Sequence, residues 1–150
     1  MEQLDKDMEC RVWQRVQAKQ EPELPQRDNL KPWILAAQEN SAAFRNLSLQ
    51  LIGKQWEGLR RLETESSRML HSLRGISALR GEPVKLTPMP APKDVPRRSL
   101  EKSFHRSRRL WAEMERRIDD PEYGPVFRSL SRRAEDHCAA LAEMLGRLDM

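Results

Sequence analysis

The sequence predicts an all-helical protein arranged as a four-helix bundle, and three observations support this prediction. Good helix formers such as Leu, Arg, Glu, Ala and Gln dominate the chain, whereas β-branched residues are few and apolar and polar residues do not alternate. Proline and glycine are concentrated in short stretches that separate longer segments with helical apolar spacing. The two segments before the central proline-rich stretch also match the two after it, which indicates a repeated helical hairpin.

Length, charge and cysteine content restrict the class of protein. The 150 residues suit one domain, and the net charge of +4 comes from 27 basic and 23 acidic residues that are mostly interleaved, which argues against a nucleic-acid partner. No apolar run approaches the roughly 18 residues that a membrane span needs. Two cysteines and the lack of a signal-peptide pattern lead us to expect a cytoplasmic protein without a disulfide framework.

The first 28 residues predict an amphipathic helical arm and a linker, ahead of a bundle over residues 29–150. The stretch "QEPELPQRD" (Gln20–Asp28) separates the two. An apolar residue recurs every four positions along the arm, at Leu4, Met8, Val12 and Val16. Trp13 lies beside this stripe, and the acidic residues of the arm argue against a membrane surface. We therefore expect the arm to dock on the bundle or on a second subunit.

Four helices are expected in the bundle, paired two by two. The first runs from Pro32 to about Ile52, the second begins after Gly53, and a tight turn at Asp119–Pro125 separates the third from the fourth. The second helix and the chain 68 residues later share one i, i+3, i+7 stripe, formed by Leu59, Leu62, Ser66, Met69, Leu73 and Ile76 and by Phe127, Leu130, Ala134, His137, Leu141 and Met144. At a separation of 67 residues, Phe44, Leu47 and Leu51 likewise match Trp111, Met114 and Ile118. We expect the core to contain Leu59, Leu62, Met69, Leu73, Phe127, Leu130, Leu141 and Leu145.

A long proline-rich connection joins the two hairpins. It is "RGEPVKLTPMPAPKDVPRRS" (Arg80–Ser99), with five prolines. At about 3.1 Å per residue such a segment covers about 50 Å, whereas a helix of about 22 residues is about 33 Å long. The connection can therefore cross the whole bundle and leave the second and third helices parallel. A four-helix bundle with one long crossover is the ferritin-like arrangement.

The last helical segment carries a family resemblance. The run "DDPEYGPVFRSLSRRAEDHCAALAEMLGRL" resembles the last helix of ferritin-like proteins of the rubrerythrin kind, in which a turn, an apolar stripe and a Glu-x-x-His precede a leucine-rich end, and the resemblance covers about Pro32 to Met150. It implies a cage in which two helices each supply one Glu, and two each supply Glu-x-x-His, to a pair of iron ions. His137 stands at the position of the family's histidine.

The other cage positions depart from the family pattern. In this chain they carry Ala37, Ser66, Met69, Phe104 and Ala134. Glu39 lies close to one of them in sequence, and Glu65 and Glu135 each miss a cage position by one residue, or about 100° around the helix. The resemblance therefore implies a largely degenerate di-iron site.

His137 has two interpretations. In the first it is a core histidine, hydrogen-bonded to Ser66 or Gln38 and neutral because burial disfavours the charged form. In the second, a shift of the helix register by one residue brings Glu65 inside, beside His137 and Cys138, as mixed ligands of a single iron or zinc ion, with Glu135 as the next candidate ligand. We favour the first interpretation, in which no cofactor is bound.

Two further patterns are interpreted as surface features. Glu101 and His105 have a spacing that can hold a metal, but their basic neighbours favour a surface pair. A basic stripe on the third helix could lie along phosphates, but acidic residues interrupt it, so we expect a solvated outer face formed by Arg98, Lys102, Arg106 and Arg109. The chain has no glycine-rich phosphate loop and no serine-nucleophile motif, which argues against an ordinary kinase or hydrolase.

Two functional hypotheses follow. The favoured one is a non-catalytic ferritin-like bundle, retained as a binding or scaffold module, that forms a homodimer or binds a protein partner through its arm or helix faces. The alternative is a rubrerythrin-like metal-binding protein that handles electrons or peroxide at a reduced or unusual metal site. We favour a role other than catalysis.

Overall fold

Four helices make up most of the structure, a computed structural model that describes residues 29–149. They are α1 (Lys31–Gln50), α2 (Gly58–Leu79), α3 (Pro96–Glu115) and α4 (Gly124–Leu148). A short 3-10 turn, Lys54–Trp56, lies between α1 and α2, and there is no strand among the described residues. The all-helical prediction is therefore confirmed for this part of the chain. The predicted arm, residues 1–28, lies outside the described residues.

Proline and glycine set the helix ends as the sequence predicts. Proline occupies the first turn of α3 and of α4, where its missing N–H leaves no intrahelical bond unmade. At the end of α2, Gly81 adopts a φ of 84°, and its N–H donates to the carbonyl of Ala78. The N–H of Glu82 donates to the carbonyl of Ser77, which completes a Schellman motif. α1 ends two residues before the expected Ile52, ahead of Gly53, whose φ of 128° favours glycine.

Neighbouring helices in the bundle are antiparallel. α1 packs on α2 and α3 packs on α4, so each half of the chain is a helical hairpin. The start of α1 meets the end of α3, where the indole Nε1 of Trp33 donates to Glu113 at 2.6 Å. The contact of Gly58 with Met144 likewise places the start of α2 beside the end of α4. It follows that α2 and α3 are parallel and lie diagonally across the bundle.

The connection between α2 and α3 runs alongside α1. The amide of Gln38 donates to the carbonyl of Thr87 at 2.9 Å, and the amide of Asn46 donates to the carbonyl of Pro92 at 3.3 Å. Thr87 contacts the earlier residue of α1, Gln38, and Pro92 contacts the later one, Asn46. The connection therefore runs in the same direction as α1. Beyond these contacts, Asp94 pairs with Lys102 of α3 at 3.0 Å. The connection therefore travels from the end of α2 to the opposite end of the bundle.

The core follows the predicted stripes of α2 and α4. All twelve positions that match at a separation of 68 residues are buried. Seven of the eight residues that were expected to form the core are buried, and Leu145 is partly buried against the same cluster. This agreement follows from the 3.6-residue period, which places residues at i, i+3 and i+7 on one face of a helix.

The match between α1 and α3 needs a correction at three positions. Leu47 and Met114 are buried, but Leu51, Trp111 and Ile118 are only partly buried. The separation of 67 residues does hold for other buried pairs, namely Trp33 with Leu100, Ala36 with Ser103, Asn40 with Ser107 and Ala43 with Leu110. The aromatic residue at position 111 misled the assignment because a large side chain at the edge of a core face covers apolar surface without being enclosed.

Met69 provides a test of this register. Its side chain is 2% exposed in the middle of α2, so Met69→Ala should lower the free energy of unfolding by about 2–5 kcal/mol. Met89 is 40% exposed in the connection, and Met89→Ala is the matched control, with an expected change within about 0.5 kcal/mol. Urea denaturation measures both values. Equal losses in the two variants would contradict the assignment of Met69 to the core.

Candidate functional site

His137 and Glu65 form a polar contact between α4 and α2. The ring Nε2 of His137 lies 2.8 Å from Oε1 of Glu65, and the histidine is 1% exposed. The two residues are 72 positions apart in sequence and meet because α2 and α4 are antiparallel neighbours. Glu65 is 20% exposed and also receives a hydrogen bond from Arg61, one turn earlier on α2, at 3.3 Å. The Glu65 carboxylate thus bonds to the buried imidazole on one side and to the exposed Arg61 on the other.

The protonation states follow from the surroundings of this pair. Burial lowers the pKa of the His137 ring, although the hydrogen bond to Glu65 and its negative charge act in the opposite direction. Burial by itself raises the pKa of the Glu65 carboxyl, but the hydrogen bond with His137 and the positive charges of Arg61 and Arg133 bring it below its usual value. At neutral pH the ring is therefore neutral, and its Nε2–H donates to an ionised carboxylate.

The position of His137 agrees with the core interpretation, but its partner is not the expected one. We expected Ser66 or Gln38; the structure gives Glu65 as the partner, while Gln38 donates to the connection. Ser66 remains buried in the α2 stripe, so the register has not shifted. Glu65 reaches the ring because its longer side chain starts beside Ser66, on the flank of α2 that faces α4.

The three candidate metal ligands are only partly brought together. Glu65 and His137 are in contact, whereas Glu135 is exposed on α4. Cys138 is a free, buried cysteine, and burial raises the pKa of its thiol to about 11. Within residues 29–149 there is no group of three or more His, Cys, Asp or Glu side chains that could hold a metal ion. The described part of the site supplies two adjacent donors.

Small and apolar side chains occupy the remaining cage positions of the family resemblance. These positions are Ala37, Ser66, Met69 and Ala134, which are all buried, and Phe104, which is partly buried against the core cluster. Glu39, near one of these positions in sequence, lies instead beside a surface groove. These buried positions therefore carry none of the carboxylates or imidazoles that a pair of iron ions needs.

A second polar contact, which the sequence analysis missed, joins the end of α2 to the turn between α3 and α4. Arg80 and Asp120 form a largely buried salt bridge at 2.6 Å, and the guanidinium lies 5.0 Å from the ring centre of Tyr123. Asp120 also accepts hydrogen bonds from the backbone N–H groups of Glu122 and Tyr123. Burial alone raises the pKa of the Asp120 carboxyl, but these bonds and Arg80 lower it. An aspartate before Pro121 was the available signal, since Asp often caps a turn in this way.

The basic stripe of α3 does not form one outer face. Arg98 pairs with Glu101, and Arg109 pairs with Glu113, each at 3.8 Å on the surface. Arg106, in contrast, reaches inward: its Nε donates to Oδ1 of Asn40 at 2.8 Å, and its Nη2 donates to the hydroxyl of Ser103 at 3.1 Å. Burial lowers the pKa of this guanidinium, while the charges of Glu39 and Asp94 act in the opposite direction.

Arg106 lines a groove between α1, α3 and the connection. The groove has a volume of about 200 Å³. Its walls carry two carboxylates and two cationic side chains, from Glu39, Asp94, Lys102 and Arg106, together with the hydroxyl of Ser99. Ala42, Met89 and Pro92 supply apolar surface. The groove is separate from the His137–Glu65 contact, which lies between α2 and α4.

Comparisons with known proteins return no relative: no family model matches the chain, and no curated protein or solved structure matches it. Among the helices of residues 29–149, none combines the length and the apolar character that a membrane crossing requires. The site is therefore interpreted from its own residues.

Glu65→Ala should lower the free energy of unfolding more than His137→Leu does. Glu65→Ala leaves a buried imidazole N–H without an acceptor, and we expect it to lower the free energy of unfolding by about 1–3 kcal/mol. His137→Leu keeps apolar volume in the core and leaves Glu65 bound to Arg61, so it should cost less. Chemical denaturation at neutral pH compares the two variants. A larger loss in His137→Leu would show that the imidazole stabilises the bundle through another contact.

The same contact predicts how stability depends on pH. His137 has a folded-state pKa below its ordinary value of about 6.5, so the unfolded chain binds more protons and stability falls as the pH drops below that value. The lowered pKa values of Glu65 and Asp120 add a further loss in more acidic solution. Unfolding measured between about pH 7.5 and about pH 5.5 should show the first loss, and His137→Leu should abolish it. The exposed His71→Leu is the control and should retain it.

Proposed function

We propose that this chain is a ferritin-like four-helix bundle that has lost most of its di-iron ligands and acts as a non-catalytic binding or scaffold module. The topology supports the proposal: two antiparallel hairpins are joined by one connection that runs the length of the bundle. The family resemblance of the last helix to rubrerythrin-like proteins points in the same direction.

The observation that carries the non-catalytic role is the packing around His137. A pair of iron ions needs several carboxylates and imidazoles that bridge the ions and neutralise their charge. In this chain Ser66, Met69 and Ala134 are buried at three of those positions, and one histidine and one carboxylate remain in contact. The contact between His137 and Glu65 is explained without a metal ion, because the carboxylate accepts a hydrogen bond from the buried imidazole.

Exposed apolar residues at one end of the bundle are suited to contact with a protein partner. Leu49 at the end of α1, Ile52 in the following loop and Val95 before α3 are 76%, 85% and 66% exposed. Because α1 and α3 are antiparallel, these residues lie at the same end. Exposed apolar groups at one end of the bundle favour association, so we propose a homodimer or a protein partner that binds through the helix faces or the arm.

Nucleic acid is not part of this proposal, since several basic residues of α3 already pair with carboxylates. We further propose a cytoplasmic location, which the free thiol of Cys138 supports, because disulfides are rare in reducing compartments.

The contact of Glu65 with His137 favours one alternative function, a rubrerythrin-like protein with a reduced metal site. A carboxylate and an imidazole are suitable ligands for zinc or iron, and a single ion could complete its shell with water or with ligands from outside the described residues. In that case the protein would handle electrons or peroxide, and His137 would be a ligand rather than a packed core residue.

Elemental analysis separates the two functions. We expect the full chain, purified without a tag and exposed to ferrous iron or zinc, to retain far less than about one metal ion per chain, because two donors bind such ions weakly. The exposed His105→Leu is the control for adventitious binding, and it should match the wild type and His137→Leu. A stoichiometric metal ion that His137→Leu releases, together with peroxide or iron-oxidation activity, would overturn the proposal.

A further inference from the structure

The groove between α1, α3 and the connection contains polar groups that have few or no hydrogen-bond partners among the described residues. Glu39 forms no hydrogen bond or ion pair with them. Ser99 is 3% exposed, yet its hydroxyl has no hydrogen-bond partner in the same part of the chain. Arg106 donates to Asn40 and Ser103 and forms no ion pair within residues 29–149. Buried polar groups usually have partners, so the buried Ser99 hydroxyl, with the partly buried Glu39 and Arg106 in the same groove, identifies a place where a ligand would be stabilised.

The unsatisfied groups are divided between the two helical walls. Glu39 on α1 offers a negatively charged acceptor, whereas Arg106 and Ser99 on α3 offer donors. The other charged pair of the groove, Asp94 and Lys102, is already joined at 3.0 Å. The α1 wall therefore offers a carboxylate acceptor and the α3 wall offers donors. The opposite charges of Glu39 and Arg106 leave no net charge, which disfavours both a simple anion and a simple cation.

We propose that this groove binds a small zwitterion of amino-acid type. The ligand carboxylate accepts hydrogen bonds from Arg106 and Ser99, since a guanidinium matches the geometry of a carboxylate. The ligand ammonium group pairs with Glu39 on the opposite wall. The carbon chain lies against Ala42 and Met89. The volume of about 200 Å³ is smaller than a typical pocket for a drug-sized molecule and suits a compound of this size.

Contacts within the described residues hold the walls of the groove in place. Gln38 and Asn46 hold the connection against α1 through its backbone carbonyls, and the pair of Asp94 with Lys102 holds its end against α3. Prolines restrict the backbone between these anchors, so little conformational entropy is lost on binding. This inference rests on the proposed function, because it names the class of ligand that the proposed binding module would bind.

Titration of the full chain with defined probes tests the inference. The probes are glycine, β-alanine and γ-aminobutyrate, in which the distance between ammonium and carboxylate increases, with acetate and methylammonium as single-charge controls. Calorimetry or NMR should show that at least one zwitterion binds with a Kd of about 1 mM or below, and that both controls bind at least about tenfold more weakly. No binding by any zwitterion at about 10 mM would overturn the inference.

Variants of the two walls locate the binding. Arg106→Gln and Glu39→Gln should each weaken binding of the zwitterion by about tenfold or more. Arg109→Gln removes an exposed cation of the same helix outside the groove and should leave binding unchanged. Because Arg106 also bonds to Asn40, Glu39→Gln is the decisive variant: it removes no hydrogen bond of the fold. Zwitterion binding that Glu39→Gln does not weaken would overturn the inference, whereas the metal content of the protein decides the proposed function separately.

Discussion

The path of the connection between α2 and α3 is the constraint on which the other contacts depend. Because this segment crosses to the opposite end of the bundle, α2 and α3 run parallel, and each can neighbour only the antiparallel helices. A short turn in its place would make α2 and α3 antiparallel and would change which helices of the two hairpins are neighbours. The crossover thus brings α1 beside α3, where Asn40 meets Ser107, and α2 beside α4, where Glu65 meets His137. Asn40 and Ser107 occupy equivalent positions in the two hairpins, 67 residues apart. Equivalent residues of the sequence repeat are therefore in contact with each other.

The two interfaces that the crossover creates use polar residues in different ways. Between α2 and α4 the polar contact is enclosed: burial keeps His137 neutral, and Glu65 satisfies its N–H while remaining within reach of Arg61 and water. Between α1 and α3 the polar contacts end in an open groove, where Arg106 bonds to neutral side chains and its charge is balanced only at longer range. An enclosed pair that is already satisfied suits a structural role, and an open groove with unsatisfied groups suits recognition.

Catalysis and recognition make opposite demands on such a bundle. A di-iron centre requires several carboxylates in the interior, where each charge costs desolvation energy that the bound metal ions offset. A core with Ala134, Ser66 and Met69 at these positions avoids that cost and is stabilised by apolar packing. The proposed loss of the metal site is therefore also a gain in packing.

The sequence by itself determined the four helices and most of their buried positions, because these depend on neighbours only a few positions away. Breaks at proline and glycine and the 3.6-residue period are local properties, and the twelve matched positions of α2 and α4 were buried as expected. Only the tertiary structure decided which side chains meet. Glu65 rather than Ser66 binds His137 across 72 residues of sequence, and Arg106 turns inward to Asn40 across 66, because such contacts depend on the rotation of packed helices and on side-chain length. The spacing of apolar residues along a single helix does not show how packed helices are rotated relative to one another or which side chains reach across between them.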